Sequence, residues 1–446
     1  MHLWIAEQTV RRLYSLLMVL LAPAAFAVVL CRGLRDRSYW QNLGERFGWG
    51  RSAGDSPSIW LHAVSLGEVA AAAALVRALR DRYPDIPFVL STATPTGRAR
   101  AQALFGDEID IRFLAYDTPG SVARFLTRVR PRLAIIMETE LWPNLLYECR
   151  RRGVPVVFAS ARLTTKSVSR YRRFGTLFSG AVASTTLIAA QTSEDAERFV
   201  AIGAARARTH VIGNVKFDMR LGDSIIEQGR ELRRLLVGPR PAWVAGSTHE
   251  GEEVLVLNAH AALCLTLPDA KLLLVPRHPQ RFESVANLLL RRGINFDRRS
   301  SASAVGASAA GAAAVRPDAQ VLLVDSVGEL TAFYAAADVA FVGGSLVPVG
   351  GHNLLEPAAL GVPVITGPYN ANSGDIARLL VQKGGAVQVA DAPALTEALR
   401  RLFADPDLRQ RAGGAGREFV EQHRGSVARL LKLIEPLAAA LPEANP

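Results

Sequence analysis

The stretch VAFVGGSLVPVGGHNLLEPAALGVPVIT, at residues 339–366, contains a complete strand, turn, helix and second strand. Its two ends are short apolar runs that predict buried strands, and the segment between them predicts a helix that opens near Asn353. Four glycines before that helix let the backbone approach a ligand closely. Because a helix start offers backbone N–H groups to anions, the stretch predicts a nucleotide or phosphate site, although Asn353 and Glu356 also fit a simple capping pair.

The same alternation of short apolar runs and helix-length segments continues through the rest of the chain. Further strands are predicted at 58–64, 87–92, 133–137, 154–159, 186–190 and 209–212, and then at 242–245, 271–275 and 321–324. Such runs indicate parallel sheets that are covered by helices on both faces. The two series predict an α/β protein with two Rossmann-like, doubly wound domains that face a cleft, and the pattern breaks between them at 213–241.

The composition excludes several classes of protein. Of 446 residues, 49% are hydrophobic and 21% are charged, which excludes a wholly disordered chain, a collagen and a coiled coil. The 52 Lys and Arg against 41 Asp and Glu give a net charge of +11, which favours an anionic partner. The three cysteines, Cys31, Cys149 and Cys264, are far apart and indicate a reducing compartment.

The N-terminal segment resembles a membrane anchor. Residues 13–30 contain no charged residue, which is close to the ~20 residues that a spanning helix needs. Arginines flank the run on both sides, and the heavier positive flank follows it, so we expect an uncleaved anchor with the body of the protein in the cytoplasm. Because Pro23 weakens a straight span, a helix that lies on the bilayer without crossing it is the alternative.

Two strand ends in the first half carry acidic residues. HAVSLGE at 62–68 follows the first strand and ends in Glu68. METELWPN at 137–144 follows a later strand, and Glu138 is the first of its two acidic residues. Ligands bind outside the carboxyl ends of such strands, so both carboxylates are candidates for catalysis. The alternative for each is helix capping: Ser65 and Glu68 fit a capping box, and Pro143 fits a helix start.

The second half has comparable junctions at 246–253, 276–281 and 325–330, and Arg277 adds a cation suited to phosphate. The Asp405–Asp407 spacing is a weak metal candidate because divalent cations need several convergent oxygens.

Between Cys149 and Ser193 there is no acid, but eight cations are present. They favour an anionic membrane surface or phosphate, and no aromatic-interleaved module suggests nucleic acid.

Together, HAVSLGE, METELWPN, GNVKFD, GSTHEGEE, PRHPQR and the glycine-rich stretch resemble the 3-deoxy-D-manno-octulosonic acid (Kdo) transferases, from the anchor to about residue 385. The resemblance implies a GT-B fold and an inverting transfer of Kdo from CMP-Kdo to a lipid A precursor at the cytoplasmic face of the inner membrane, with no essential metal and no other cofactor. The implied domains are an anchor at 1–36, an acceptor domain at 37–215 and a nucleotide-sugar domain at 216–446.

The resemblance also implies roles for individual residues. Glu68 matches the general base, while Glu138 and Lys216 match positions that support the transition state. The segments that contact CMP correspond to Pro276, Arg277, Val327, Gly328, Glu329, Asn353, Leu354, Leu355 and Glu356. Val327 and Leu354 depart from residues often found at their positions, and the Ala/Ser-rich segment at 300–315 is longer than usual. A GT-B enzyme with a different sugar nucleotide, or a non-catalytic nucleotide- or lipid-binding protein, remains an alternative.

Overall fold

A computed structural model describes residues 2–54, 56–219, 221–302, 316 and 318–439. The chain forms two compact units. Unit 1 comprises residues 1–219 and 423–446, and unit 2 comprises residues 220–422. Each unit is built on its own seven-stranded sheet, in which every pair of neighbouring strands is parallel.

Unit 1 has the strand order β3-β2-β1-β4-β5-β6-β7. Its strands are β1 (Ser58–His62), β2 (Phe88–Thr92), β3 (Asp110–Phe113), β4 (Pro131–Met137), β5 (Val156–Ala161), β6 (Leu187–Ala190) and β7 (Thr209–Val211). The central strands are buried on both faces, as expected for a parallel sheet that helices cover on each side.

The helices of unit 1 are α1 (His2–Gly33), α2 (Leu66–Arg82), α3 (Pro95–Phe105), α4 (Pro119–Val129), α5 (Pro143–Arg151), α6 (Thr165–Arg173), α7 (Gly175–Ala183), α8 (Ser193–Ala201) and α18 (Ser426–Ala439). Two cores lie on the two faces of the sheet. Residues of α2, α3 and α18 form one of them, and residues of α4, α5, α7 and α8 form the other.

Unit 2 has the strand order β10-β11-β9-β8-β12-β13-β14. Its strands are β8 (Ala242–Thr248), β9 (Lys271–Pro276), β10 (Phe296–Arg298), β11 (Val321–Leu323), β12 (Val339–Val342), β13 (Val364–Thr366) and β14 (Ala386–Gln388). Its helices are α9 (Asp223–Leu232), α10 (Glu252–Cys264), α11 (Phe282–Arg291), α12 (Arg299–Ala302), α13 (Leu330–Ala336), α14 (Leu355–Ala359), α15 (Gly374–Gln382), α16 (Ala392–Ala404) and α17 (Pro406–His423).

The predicted α/β class with two parallel sheets is confirmed, and the strands predicted from apolar runs are all present with slightly different ends. The predicted division at residue 216 differs from the structure. Lys216 belongs to unit 1, and the chain returns to unit 1 after α17, because α18 packs its apolar face against α2 and β4. The predicted insertion at 300–315 lies outside the described residues from 303 onward.

The predicted N-terminal helix is present as α1, which continues through Pro23. By length and composition, the segment at residues 8–33 is long enough and apolar enough to cross a membrane. Its membrane-crossing role stays a prediction.

Candidate active site

Glu68 and Glu138 lie at the point of the first sheet where the strand order reverses. β1 and β4 are neighbours, but the chain leaves β1 toward β2 on one side and leaves β4 toward β5 on the other. In open α/β sheets, the crevice for ligands forms at the carboxyl ends of such a pair of strands. Glu68 follows β1 and Glu138 follows β4, so the sheet places both carboxylates at this crevice.

The Glu68 carboxylate caps the start of α2. It accepts a hydrogen bond from the backbone N–H of Val64 at 2.9 Å and another from the hydroxyl of Ser65 at 3.2 Å, which confirms the capping alternative. Burial nevertheless raises the pKa of Glu68 to about 7, and the nearby charges of Glu138 and Glu140 add to the increase. Capping and a basic role are therefore compatible, since a carboxylate with this pKa accepts a proton readily near neutral pH.

The surface beside Glu68 is open at Gly67. α2 begins at Leu66, so Gly67 lies within the first helical turn, and it is exposed. A Cβ atom at Gly67 would meet only the Ser65 hydroxyl oxygen, at 3.9 Å. The space around this position therefore does not require glycine.

Glu138 and Lys216 form an ion pair next to this carboxylate. The ammonium of Lys216 donates to Glu138 Oε1 at 3.0 Å, and both side chains keep about 30% of their surface exposed. Glu138 has a φ of +52°, which a residue with a side chain rarely adopts. This backbone turns the side chain away from the strand direction and toward Lys216. The structure therefore brings together the three predicted catalytic residues of unit 1.

A chain of side-chain amides fixes the backbone that carries Lys216. Asn214 Oδ1 accepts the N–H of Lys216 at 2.9 Å, and Asn214 Nδ2 donates to Gln191 Oε1 at 3.1 Å. Gln191 Nε2 in turn donates to the carbonyl oxygen of Ser160 at 3.0 Å. Sequence reasoning missed Gln191 and Ser160. Their position directly at the ends of β6 and β5 was the available signal.

The second sheet has the same kind of reversal at β8 and β12, which are neighbours. His249 follows β8, and the glycine-rich loop that follows β12 carries His352. Their Nε2 atoms are 2.7 Å apart, and the two rings are stacked with an angle of 7° between their planes. Burial, together with the charge of Arg277, lowers the pKa of His352 to about 3, and burial also lowers the pKa of His249. Both imidazoles are thus neutral near pH 7 and share one N–H···N hydrogen bond, a pair that sequence reasoning missed.

A buried carboxylate lies beneath the glycine-rich loop. Glu252 is fully buried and accepts the backbone N–H groups of Gly344 at 2.7 Å, Ser345 at 3.0 Å and Leu346 at 2.9 Å. Gly343 must be glycine, since a Cβ there would lie 2.8 Å from a Glu252 carboxylate oxygen. The sequence assigned the phosphate to N–H groups at the helix start, and these three N–H groups of the loop are not available to it because Glu252 binds them.

The predicted helix start at Asn353 is also shifted. α14 begins at Leu355, and the side chain of Asn353 accepts the Leu355 N–H at 3.1 Å and donates to Glu356 at 3.1 Å. The capping pair is thus confirmed. Leu354 and Leu355 are completely buried, so both residues are part of the core of unit 2.

The other predicted donor-binding residues follow β9, which is a neighbour of β8, and β11, which is the next strand beyond β9. Pro276 ends β9, and the N–H of Arg277 donates to the carbonyl of Thr248 at 3.0 Å, which ties the β9 and β8 ends together. Gly328 has a φ of +91°, while the Val327 side chain is 76% exposed. The carboxylate of Glu329 is bound by Arg299 at 2.8 Å.

Among the described residues, no three His, Cys, Asp or Glu side chains are placed to hold a metal ion. Asp405, the first residue of the Asp-x-Asp spacing, accepts the N–H of Leu408 and so caps the start of α17. Of the two carboxylates at the crevice of unit 1, Glu138 instead pairs with Lys216.

Two family models match the chain. Residues 41–219 match the model described as 3-Deoxy-D-manno-octulosonic-acid transferase (kdotransferase), and residues 309–419 match the model described as Glycosyl transferases group 1. A 3-deoxy-D-manno-octulosonic acid transferase from Haemophilus influenzae is 39% identical over 96% of this chain and 98% of its own length. The protein of the same name from Bordetella pertussis is 37% identical over 95% of this chain and 99% of its own.

A solved structure extends the comparison to the fold. The crystal structure of UDP-GlcNAc 2-epimerase from Neisseria meningitidis aligns with 85% of this chain and 100% of its own length, with a TM-score of 0.56 and 11% sequence identity. The likeness shows a shared GT-B-like architecture of two α/β units.

Proposed function

The chain belongs to the Kdo transferase family of glycosyltransferases, and from this premise we propose that it transfers Kdo from CMP-Kdo to a lipid A precursor with inversion at the anomeric centre. The observation that carries the proposal is the half-buried Glu68 carboxylate at the sheet reversal of unit 1, near the Glu138–Lys216 ion pair, where partial burial raises the pKa of Glu68 to about 7. A structural cap has no need of such a pKa, whereas a general base is most effective when its pKa is near the working pH.

In the proposed reaction, Glu68 takes the proton of the acceptor hydroxyl as that oxygen attacks the anomeric carbon. The attacking oxygen forms one bond while the bond to the CMP phosphate breaks, so a single displacement inverts the centre. The hydroxyl is a poor nucleophile without this proton acceptor, and general bases of this kind contribute roughly 10²–10⁴-fold to rates.

Lys216 and Glu138 support the transition state in this proposal. The Lys216 ammonium is a fixed cation that stabilises negative charge as it develops on the reacting groups. Glu138 holds it at 3.0 Å, and the amide chain through Asn214 and Gln191 fixes its backbone. A preorganised cation needs no rearrangement during the reaction, which is why its position matters more than its charge alone.

We assign donor binding to unit 2, at the ends of β9, β11 and β12. Arg277 is proposed to neutralise the CMP phosphate, and the segments at Gly328 and Asn353 are proposed to contact the nucleotide. Leu354 and Leu355 are completely buried, so in this proposal they support the shape of the segment from below. No metal is part of the proposed reaction, since the phosphate charge is met by side-chain cations.

An anionic membrane surface is the proposed setting. α6 presents the exposed cations Lys166, Arg170, Arg172 and Arg173, whereas Arg151 and Arg152 of the same basic region are bound to Glu148. The exposed cations fit an interaction with anionic lipid headgroups, each worth about 1 kcal/mol near such a surface.

The direct test is incubation of the purified full chain with CMP-Kdo and a lipid A precursor, followed by mass measurement of the lipid. We expect a mass increase of one or more Kdo residues and release of CMP. Transfer from a different sugar nucleotide but not from CMP-Kdo would assign the chain to another GT-B activity. Binding of CMP without any transfer would favour a non-catalytic protein.

A further inference from the structure

One face of α1 is bound to the rest of unit 1 near the start of the helix. The hydroxyl of Tyr14 donates to Asp117 at 2.9 Å, and the hydroxyl of Ser15 donates to Asn144 Oδ1 at 2.7 Å. The guanidinium of Arg11 lies 3.7 Å from the centre of the Tyr147 ring. Asp117 is buried and also accepts two backbone N–H groups at the start of α5, so Tyr14 completes the shell of a buried carboxylate.

The same face of α1 is bound again near the end of the helix. The ring of Phe26 packs edge-on against Phe47 with their centres 5.0 Å apart, and the indole N–H of Trp40 donates to the carbonyl of Leu30 at 3.0 Å. Arg11 and Phe26 are fifteen residues apart in the sequence, which is about 22 Å along an α-helix. The helix is therefore bound to the rest of unit 1 at two regions that lie about 22 Å apart along its axis.

The opposite face of α1 is apolar and uncovered. Its exposed side chains are Leu13, Leu16, Leu17, Val19, Leu20, Leu21, Val28 and Leu30. Exposed arginines stand at the two ends of this face, Arg12 at one end and Arg32, Arg35 and Arg37 at the other. An apolar face flanked by cations at both ends matches the cross-section of a bilayer surface, with acyl chains at the centre and anionic headgroups around them.

Crossing the bilayer is incompatible with keeping both bound regions. The hydrocarbon core is about 30 Å thick, so a span over residues 13–30 would place the two ends of the helix at opposite surfaces. The rest of unit 1 could then keep its contact with Phe26 or its contact with Tyr14, but not both. Loss of Tyr14 would leave the buried Asp117 short of one donor, which is unfavourable for a buried carboxylate.

We infer that α1 is an in-plane anchor: its inner face stays bound to unit 1, and its outer face of Leu and Val side chains inserts into one leaflet of an anionic bilayer. In this arrangement unit 1 takes the place of the polar face that an isolated interfacial helix would need. The sequence leaves open a spanning helix and a helix that lies on the bilayer without crossing it. The contacts of α1 favour the second. The inference does not depend on the proposed transfer reaction.

Two cross-linking pairs test the inference in the full chain, in a background with Cys31→Ser and Cys264→Ser. One pair is Arg11→Cys with Tyr147→Cys, and the other is Phe26→Cys with Phe47→Cys; all four positions are half-buried, so the substitutions spare the core. Each variant is bound to vesicles that contain phosphatidylglycerol and treated with a short bis-maleimide. Leu20→Cys with Tyr147→Cys is the matched control, because Leu20 is on the outer face and 67% exposed.

We expect both pairs to cross-link on the vesicles, the control pair to remain unlinked, and the linked protein to stay with the vesicles after an alkaline carbonate wash. A spanning helix would allow at most one of the two pairs to link, and that result would overturn the inference. Release of the cross-linked protein from the vesicles by carbonate would also overturn the inference, because it would show that a helix held flat is inserted too weakly to retain the protein.

An independent measurement uses Arg12→Cys in the same background and a membrane-impermeant maleimide added outside the vesicles. With the helix in the plane, position 12 stays on the same side as the body of the protein, and labelling before detergent should equal labelling after it. Labelling that appears only after detergent would show that this end of α1 has crossed the bilayer, which contradicts the inference.

Discussion

Glu68→Gln separates the two roles of this carboxylate, because the amide keeps a hydrogen-bond acceptor for the α2 cap but does not accept a proton. We expect the variant to lose roughly 10²–10⁴-fold in single-turnover transfer while it keeps its affinity for CMP, which we assign to the other unit. The wild-type rate should rise with pH up to about 7 as Glu68 loses its proton, and this acidic limb should be absent from the residual activity of the variant.

The same substitution has a stability effect whose sign depends on pH. Burial raises the pKa of Glu68 from 4.5 to about 7, which corresponds to about 3 kcal/mol of unfavourable free energy when the folded protein carries the ionised form. The penalty is absent below pH 4.5 and complete above pH 7. The weakened cap costs the variant up to about 1 kcal/mol at any pH. Relative to wild type, the variant should therefore gain roughly 2–3 kcal/mol between pH 5 and pH 8.

Denaturant unfolding at pH 5 and pH 8 measures this gain, and rapid-quench transfer with saturating CMP-Kdo measures the rate. Asp391→Asn is the matched control, because Asp391 is an exposed cap of α16 that accepts the Ala394 N–H and has no place in the proposed site. It should lose some stability and no activity. A folded Glu68→Gln protein with near-native transfer would refute the basic role, and an unchanged stability difference between the two pH values would refute the burial argument.

Three further predictions concern the remaining parts of the site. Lys216→Met should keep the fold, because 30% of the Lys216 side chain is exposed, and should lower single-turnover transfer at least 10-fold; unchanged transfer would remove Lys216 from the mechanism. Arg277→Ala should weaken CMP binding, measured by calorimetry, at least 10-fold, with little change in melting temperature, and equal affinity would place the phosphate elsewhere. Transfer from preformed CMP-Kdo should persist in excess EDTA, and a complete loss that Mg²⁺ restores would show that the reaction needs a metal.

The fold was largely predictable because parallel strands that are buried on both faces appear as continuous apolar runs. The strands that escaped prediction lack such a run. β3 contains Asp110 and Arg112, β10 contains Asp297 and Arg298, and β14 is only three residues long. All three are at or next to a sheet edge, where fewer apolar neighbours are needed. The return of α18 to unit 1 was not predictable either, since an amphipathic helix shows which face is buried but not which partner buries it.

The site was predictable to the level of strand ends, but not to the level of partners. The positions of Glu68 and Glu138 follow from the sheet order and from the rule that ligands bind at carboxyl ends of strands. The partners of Lys216 and His249 are separated from them by 78 and 103 residues in the sequence, and a single sequence carries no record of such pairs. For the glycine-rich loop, the glycines indicated a close approach of the backbone to a ligand, and in the structure the group that binds the loop N–H groups is Glu252 of the same unit.

Backbone conformation adds evidence that residue types did not supply. Of the five non-glycine residues with positive φ in the described part of the chain, three are Glu138, Ser160 and Ser247, which lie at or beside the carboxyl ends of β4, β5 and β8. Such conformations cost of order 1–3 kcal/mol each and persist where the surrounding structure enforces them, often at functional sites. Each of the three is linked to a residue at a sheet crevice. The Glu138 carboxylate pairs with Lys216, the Ser160 carbonyl oxygen accepts the side-chain amide of Gln191, and Ser247 lies two residues before His249. These strained residues lie at the same carboxyl ends of the two sheets as Glu68, whose pKa is raised, and as the paired His249 and His352. We therefore regard the carboxyl ends of both sheets as built for ligands rather than for stability.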